Sequence, residues 1–319
     1  MLFKGLFDSY SIDENTTIHI PNKHGKNSSI FIGTKSLDNS RVIIKRVAIP
    51  KNFDIQQFLE TCFTIQSYNT QIVQTIDVSC DSLYMYIIRQ YIEGISLKQL
   101  IYDKEFSHVY SHTIIYQIFI QLCDILNDIH TQGVIHRDIK PSNIIIQFDS
   151  KNSYVTSVHL VDIEMALFNG NEVIPHEKPP FALIYSSPEQ VLRKANLTNH
   201  TSDIFSLGIS LYESLVRKTP FTHTNPELLL HMQLSIIVPK HHVLPHSIYN
   251  IITKACSIPQ VTKPLFTYKP QEQETLLIQS QQNRYSSVLE LQKDLDQYIR
   301  QKGFENSKQS VLKFLKFFK

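Results

Sequence analysis

The chain lacks paired cysteines: Cys62, Cys80, Cys123 and Cys256 are its only four, they stand far apart, and none forms a CxxC spacing. That pattern offers neither a zinc site nor a disulfide framework, so a reducing compartment is expected. The chain also lacks any apolar run of the roughly 18–20 residues that a membrane span needs. Its opening, MLFKGLFDSY, lacks the charged-then-apolar layout of a secretory signal. The expected location is therefore cytoplasmic. An excess of one charge is missing too. Thirty-one Lys and Arg against 29 Asp and Glu leave a net +2, too weak a field to hold a polyanion. No nucleic-acid partner is expected, and any phosphate chemistry must be local. What is present, 319 residues of which 42% are apolar, suffices for a sizeable core in one large or two lobed domains and excludes a disordered chain.

The N-terminal part is rich in β-branched and aromatic runs, at 16–20, 29–34, 41–47, 72–78 and 83–90, broken by Asn, Gly, Ser and Asp. These predict a small, mainly antiparallel sheet. Between the third and fourth runs, Phe58, Cys62 and Ile65 fall at helical spacing within 53–68, which predicts one helix lying against that sheet. Beyond Gly94 the texture changes. Ile115, Phe119, Leu122, Leu126 and Ile129 share one helical face, with Gly133 as the stop signal. Further helices are predicted over 203–216 and 288–299. The fold class expected is α+β, two-lobed: a sheet lobe over 1–91, a helical lobe over 92–302 and a tail over 303–319. The polar, Gln-rich 259–282 stretch has no clear period and reads as a surface insertion. The Lys-containing tail, 311–319, reads as a terminal helix on its own lobe, with docking to a membrane surface or a partner as the alternative.

Residues 136–143, His-Arg-Asp-Ile-Lys-Pro-Ser-Asn, sit between the long helix and the apolar run 144–146. This segment resembles the catalytic loop of eukaryotic-like protein kinases, with Lys140 in the style of the serine/threonine branch. The likeness spans about residues 10–302, and it implies ATP and Mg2+ as cofactors and a protein substrate. A substrate hydroxyl has a pKa far above neutrality, so a carboxylate must orient it and accept its proton, and the resemblance gives that role to Asp138. Lys140 would stabilise the transferring phosphoryl, and Asn143 would offer a neutral oxygen to magnesium. Asp162, at the end of the apolar run 158–161, stands where the family has its metal-binding Asp. Here the motif reads Asp162-Ile163-Glu164, with Glu in place of Gly.

In the sheet lobe, Arg41-Val42-Ile43-Ile44-Lys45 resembles the V-A-I-K strand, which makes Lys45 the phosphate-binding lysine and Glu60, on the lobe's helix, its expected ion-pair partner. The glycine-rich loop maps onto 23–30, where Gly25 is the one glycine of three retained. Lys23 and Lys26 there either supply side-chain charge in place of backbone amides or are solvated turn residues. Ile30 and Ile43 fall at nucleotide-binding positions of the same lobe. The segment joining the lobes, 88–94, would bond adenine through backbone groups of Gln90 and Ile92, and it sets Arg89 at a position that is usually apolar. A lone buried guanidinium is costly, so Arg89 is expected to pair with Glu164 or Glu60.

Farther on, Tyr185-Ser186-Ser187-Pro188-Glu189-Gln190 resembles the A-P-E segment in the form common among bacterial serine/threonine kinases, which implies a host cytosol as the alternative location, for a bacterial effector. Glu189 is expected to pair with Arg284, and Asp203 is expected to cap the backbone of the catalytic loop. Arg137 precedes the catalytic Asp, an arrangement that often answers to an activating phosphate. Yet residues 165–185 contain no Ser or Thr, so Glu172 or Glu177 is expected to stand in. Ala182 replaces the Thr expected in the serine/threonine branch. The reading is an ATP-dependent protein kinase acting on Ser/Thr hydroxyls. The alternatives are a pseudokinase or nucleotide-binding scaffold, suggested by the sparse glycine loop, Glu164, Arg89 and Ala182, and a small-molecule phosphotransferase on the same fold.

Overall fold

The computed structural model describes residues 2–18, 29–50, 53–149, 154–175 and 183–317. The β-branched runs of the N-terminal part form a six-stranded antiparallel sheet: β1 (Leu2–Lys4), β2 (Ser9–Ile18), β3 (Ser29–Lys35), β4 (Arg41–Ala48), β5 (Thr75–Cys80) and β6 (Tyr84–Gln90). The spatial order is β1-β2-β3-β4-β6-β5. The first strand and the early part of the second carry no run that the sequence made prominent. The sheet's one helix, α1 (Ile55–Tyr68), starts where the Asp54 carboxylate accepts from the Gln57 amide at 3.0 Å. It lays Phe58, Leu59, Cys62, Ile65 and Gln66 inward and packs on β5.

The N-terminal segment is held by one carboxylate. Asp77, fully buried on β5, accepts from the amides of Leu6, Phe7 and Asp8 at 2.9, 3.1 and 3.1 Å and from the Tyr10 hydroxyl at 2.9 Å. The chain wraps that closely because residue 5 is Gly: a Cβ there would lie 2.2 Å from Asp77 Oδ2. Removing the carboxylate strands several donors at once. Asp77→Ala is therefore expected to cost about 3 kcal/mol, read as a lower melting temperature together with protease cutting near residue 6. An unchanged melt would show that the wrap is not what holds the segment.

The remainder is helical, as the sequence predicted. After β7 (Ile95–Ser96) come α2 (Leu97–Tyr102) and α3 (His112–His130). Ile115, Phe119, Leu122, Leu126 and Ile129 of α3 are all fully buried, and each such side chain contributes about 1.5–3 kcal/mol relative to exposure. Gly133 takes φ +74, the left-handed turn that lets the chain leave the helix. Short strands follow: β8 (Val134–Ile135), β9 (Ile144–Phe148), β10 (Val155–Leu160), β11 (Leu167–Phe168) and β12 (Asn171–Glu172). The helices α4 (Pro188–Val191), α5 (His200–Val216), α6 (Pro226–Ser235), α7 (His246–Ala255), α8 (Pro270–Gln282) and α9 (Val288–Phe317) complete the lobe. The middle of α5 is buried on every face, while α9 packs on α3.

Among the described residues, two backbone connections join the lobes, beside side-chain bonds such as Asn69 Nδ2 to Asp128 Oδ2 at 2.7 Å. One is the passage from β6 through residues 91–94 into β7. The other is a backbone tie in which Val73 N donates to Leu160 O and Leu160 N donates to Gln71 O, both at 2.9 Å.

One expectation is corrected. The 259–282 stretch is not a surface insertion: Leu265 and Leu277 are fully buried with Leu234 in a small second core. Amide side chains made the helix hard to see, and they have structural work. Gln273 Nε2 donates to the carbonyls of Leu265 and Tyr268, and Gln281 Nε2 to that of Leu197. In the tail, the helical backbone continues to Phe317, but the side chains of 311–319 lie outside the described residues.

Candidate active site

The loop between β8 and β9 is fixed from below. Asp203, in the first turn of α5, accepts from the amides of His136 and Arg137, both at 2.8 Å, and its Oδ2 lies 2.9 Å from His130 Nε2. Burial alone would raise that carboxyl; the bonds and charges of His130 and His136 hold it below the usual carboxylate range. The cap fulfils the expectation for Asp203. With it, Arg137 is held at φ +65, a backbone conformation that a non-glycine residue keeps only when its surroundings enforce it. Gln190 contributes by donating to Arg137 O at 2.9 Å.

Asp138, Lys140 and Asn143 come together on this loop. Asp138 Oδ2 accepts from Lys140 Nζ at 2.6 Å and from Asn143 Nδ2 at 2.8 Å, and Asn143 Nδ2 also bonds the Asp138 carbonyl at 2.9 Å. Asp138 Oδ1 accepts no hydrogen bond from the described residues. The loop is tied to the next one as well: Val161 N donates to Asn143 O at 3.0 Å, and His136 Nε2 lies 3.1 Å from Val161 O. Asp162 follows directly, at φ +71.

Lys45, in the middle of β4, reaches across to this second loop. Its Nζ lies 2.9 Å from Asp162 Oδ2 and 3.4 Å from Glu164 Oε2. Arg89, on β6, contacts Asp162 Oδ1 through Nη1 and Glu164 Oε1 through Nη2. Two cations and two anions thus form a closed, largely buried cluster, the arrangement in which buried charges are tolerated. Burial pushes the Lys45 ammonium below the usual lysine range, against the pull of Asp162. Burial would raise the Asp162 carboxyl, but Arg89 and Lys45 outweigh it and hold that group far below the carboxylate range. The Arg89–Glu164 pair is one of the two partners expected for Arg89. The Lys45–Glu60 pair is corrected: Glu60 lies on the outer face of α1, exposed, where it accepts from Gln56 Nε2 at 3.2 Å. The hydrophobic stripe of α1 set that rotation, because turning Glu60 inward would turn Phe58, Leu59 and Cys62 toward water.

The ligand-covering residues are only partly seen. Lys23, Gly25 and Lys26 lie outside the described residues, as do Glu177 and Ala182. Ile30 and Ile43 are half-buried on β3 and β4, and the Gln90 amide donates to Gln74 O at 2.9 Å. Ile92 is half-buried just after β6.

Beside the site, the buried Arg137 donates from Nη2 to Glu172 Oε1 at 2.9 Å and from Nε to Met165 O. Glu172 is one of the two stand-ins expected from the sequence. Glu189 and Arg284 form the expected pair, bidentate at 2.7 and 3.0 Å and wholly buried. Sequence reasoning missed Glu213, whose carboxylate accepts from Tyr185 at 2.7 Å and Tyr102 at 2.6 Å. Burial and Glu213 push the Tyr185 hydroxyl well above the phenol range.

A family model described as a protein kinase domain matches residues 24–295. The chain is 31% identical over 192 residues to a probable serine/threonine-protein kinase of Clostridium perfringens, covering 59% of this chain and 26% of that one. It is 30% identical over 223 residues to a serine/threonine-protein kinase candidate of Acanthamoeba polyphaga mimivirus, covering 68% and 75%. With PknB, a serine/threonine-protein kinase of Mycobacterium tuberculosis, it shares 28% over 217 residues, 66% of this chain and 30% of that one. The match thus spans under a third of either bacterial relative. The solved structure of the Cydia pomonella granulovirus kinase PK-1 aligns with a TM-score of 0.57 and 18% identity over 77% of this chain and 86% of that one, a likeness that carries the fold alone.

Proposed function

This chain belongs to the protein kinase domain family, and from that membership we propose that it transfers the γ-phosphoryl group of ATP to Ser or Thr hydroxyls of a protein substrate. The observation that supports the reading is that Asp138, Lys140 and Asn143 bond one another on one loop, which Val161 N ties to the next, where Asp162 meets Lys45 of the sheet.

In this reading Asp138 Oδ1 receives the substrate hydroxyl, orients it and takes its proton, while Oδ2 stays fixed by Lys140 and Asn143. Lys140 compensates charge that develops on the phosphoryl oxygens, and Lys45 holds the α and β phosphates. The Gln90 carbonyl and the Ile92 backbone would bond the adenine edge, with Ile30 and Ile43 as apolar neighbours and Lys23, Gly25 and Lys26 covering the phosphates. The donor set fits magnesium, a hard cation that takes oxygen ligands: Asn143 Oδ1 and the Asp162 carboxylate would hold it, once Arg89 or Lys45 yields an Asp162 oxygen. Bound there, it would neutralise charge on the β and γ phosphates.

Residues 1–91 then act as the nucleotide-covering lobe and 92–302 as the catalytic and substrate platform. No helix among the described residues is long and apolar enough to cross a membrane. All four cysteines are free thiols, which supports a reducing, cytoplasmic setting. The test is transfer of label from γ-labelled ATP with magnesium to a generic basic protein, followed by phosphoamino-acid analysis. Phosphoserine and phosphothreonine are expected. Label no greater than that of an Asp138→Asn variant would replace the kinase reading with a nucleotide-binding scaffold.

The Arg137–Glu172 pair supports constitutive ordering of the segment after Asp162, since a carboxylate already sits where a phosphate would otherwise be recruited. Glu172→Ala is expected to lower stability by about 1–3 kcal/mol in a thermal melt, because it deprives a buried guanidinium of its counter-charge. Phosphopeptide mapping should find no activity-essential phosphate within 165–185. Finding one there would overturn this account.

A further inference from the structure

We propose that Glu164, and not a residue of α1, is the carboxylate that positions Lys45, with Arg89 as the counter-ion that lets Asp162 and Glu164 share one site. The inference rests on the kinase reading for its consequence in catalysis, but not for the anchoring itself.

A phosphate-binding lysine at the end of a flexible stem needs a fixed anion to aim it. In the phosphoryl-transfer template of protein kinases that anion comes from the helix of the sheet lobe, and helix position thereby controls activity. Here α1 offers no such group. Its inward positions are Phe58, Leu59, Cys62, Ile65 and Gln66, while Glu60 bonds Gln56 on the helix's own outer face. The carboxylates that do reach Lys45 are those of Asp162 at 2.9 Å and Glu164 at 3.4 Å.

Asp162 has other claims on it. Its Oδ1 meets Arg89 and its Oδ2 meets Lys45, so a cation entering with nucleotide would compete with both. Glu164 has the oxygen to keep Lys45 aimed when that happens. Its Oε1 faces Arg89 and its Oε2 faces Lys45, one oxygen for each cation. The backbone is built for it: Asp162 at φ +71 turns the chain into the short helical turn Ile163–Met165, and Ile174 N pins Glu164 O at 3.2 Å. A simpler role, in which Glu164 merely neutralises Arg89, accounts for Oε1 and leaves Oε2 unexplained. It also makes a different prediction: such a carboxylate would become dispensable once Arg89 were apolar.

As a result, Lys45 is aligned by the loop that carries Asp162, and movement of α1 leaves its partner in place. The experiment compares Glu60→Gln, Glu164→Gln, Glu164→Asp, Arg89→Met and the Arg89→Met/Glu164→Gln double variant by two readouts. In the first, the full chain without nucleotide or metal, each variant carried in an Asp162→Asn background that removes the other carboxylate on Lys45, is treated with acetic anhydride, and acetylation of Lys45 is followed by mass spectrometry. Glu164→Gln should make Lys45 react severalfold faster, Glu164→Asp should restore part of the protection, and Glu60→Gln should leave the rate at wild type. Glu164→Gln should expose Lys45 in the Arg89→Met background too. In the second, steady-state phosphoryl transfer should show kcat falling about 10²-fold for Glu164→Gln with a much smaller change in KM for ATP, and partial rescue by Asp. Wild-type acetylation in Glu164→Gln, protection lost equally in Glu60→Gln, or a Glu164→Gln change that vanishes in the Arg89→Met background would overturn the proposal. If the wild-type chain transfers no phosphate, the kinase reading falls by itself and the acetylation readout still decides the anchor.

Discussion

Asp138→Asn is expected to lower kcat by about 10²- to 10⁴-fold while KM for ATP changes little, the loss associated with removing a positioned general base. Each factor of ten corresponds to about 1.4 kcal/mol of barrier, so the variant forfeits about 3–6 kcal/mol of transition-state stabilisation. The direction follows from the wiring. Asp138 Oδ2 is held by Lys140 and Asn143 at 2.6 and 2.8 Å, so the carboxylate presents its other oxygen in a fixed place. An amide in that place matches the shape and can still accept from Lys140, so the loop should remain folded. It has no basic oxygen with which to take a proton. The control is a thermal melt within a few degrees of wild type, together with nucleotide affinity measured with a fluorescent ATP analogue. A variant that keeps full kcat would remove Asp138 from the mechanism, and one that loses binding as well would mean the loop had collapsed.

The second large effect falls on stability. Arg284→Met is expected to cost about 3–5 kcal/mol, because it leaves Glu189 charged, buried and unpaired. For a chain of this size that is a fall in melting temperature of roughly 4–7 °C. Four of the five N–H donors of Arg284 are in use: both Nη atoms meet Glu189, Nη1 also meets Thr201 O at 3.2 Å, and Nε meets Ser257 O at 3.1 Å. Ser202 adds a bond to Glu189 Oε1 at 2.6 Å. Burial would raise the Glu189 carboxyl, but Arg284 and Ser202 more than reverse that and bring it down to about 2 from an ordinary 4.5. A depressed carboxylate stabilises the fold above its unfolded value and loses that contribution as pH falls through its folded one. Wild-type stability should therefore decline between about pH 4.5 and pH 2 by more than that of a Glu189→Met/Arg284→Met double variant. The double variant should also melt closer to wild type than Arg284→Met does, since no lone charge remains. A single variant costing under about 1 kcal/mol would show the pair to be dispensable.

Much of this molecule was readable because its chemistry is carried by short, contiguous segments. Residues 136–143 announce a loop whose side chains and backbone must both be placed, and the structure supplies the Asp203 cap that the reading required. Arg89 and Glu164 stood out as charges where apolar or glycine residues were expected, and a buried guanidinium with no partner is costly enough to force the pairing. What was not readable is rotation. Glu60 has the right separation from Lys45 in sequence, but the orientation of α1 is fixed by which of its residues are greasiest, and that set puts Glu60 outside.

The 259–282 region failed for a related reason. Its buried residues are few, and glutamine side chains that cap neighbouring carbonyls look like solvated ones in a string of letters. The Asn169-Gly170 turn between β11 and β12 was a usable signal that went unread. Both residues take positive φ, at 50° and 81°, as a tight two-residue hairpin demands, and that hairpin delivers Glu172 to Arg137.

The backbone tie at Val73 and Leu160 gives the molecule a second seam. With the passage at 91–94 and the bond from Asn69 Nδ2 to Asp128 Oδ2, it means that the sheet and the helices are stitched at separate places, so a swing about the line through them disturbs fewer bonds than a slide does. Opening and shutting thus resemble a door on a pair of hinges more than a jaw free to slide or twist. Because Lys45 and Arg89 ride on the leaf while Asp162 and Glu164 belong to the frame, a wide swing must draw apart the four charges that latch it.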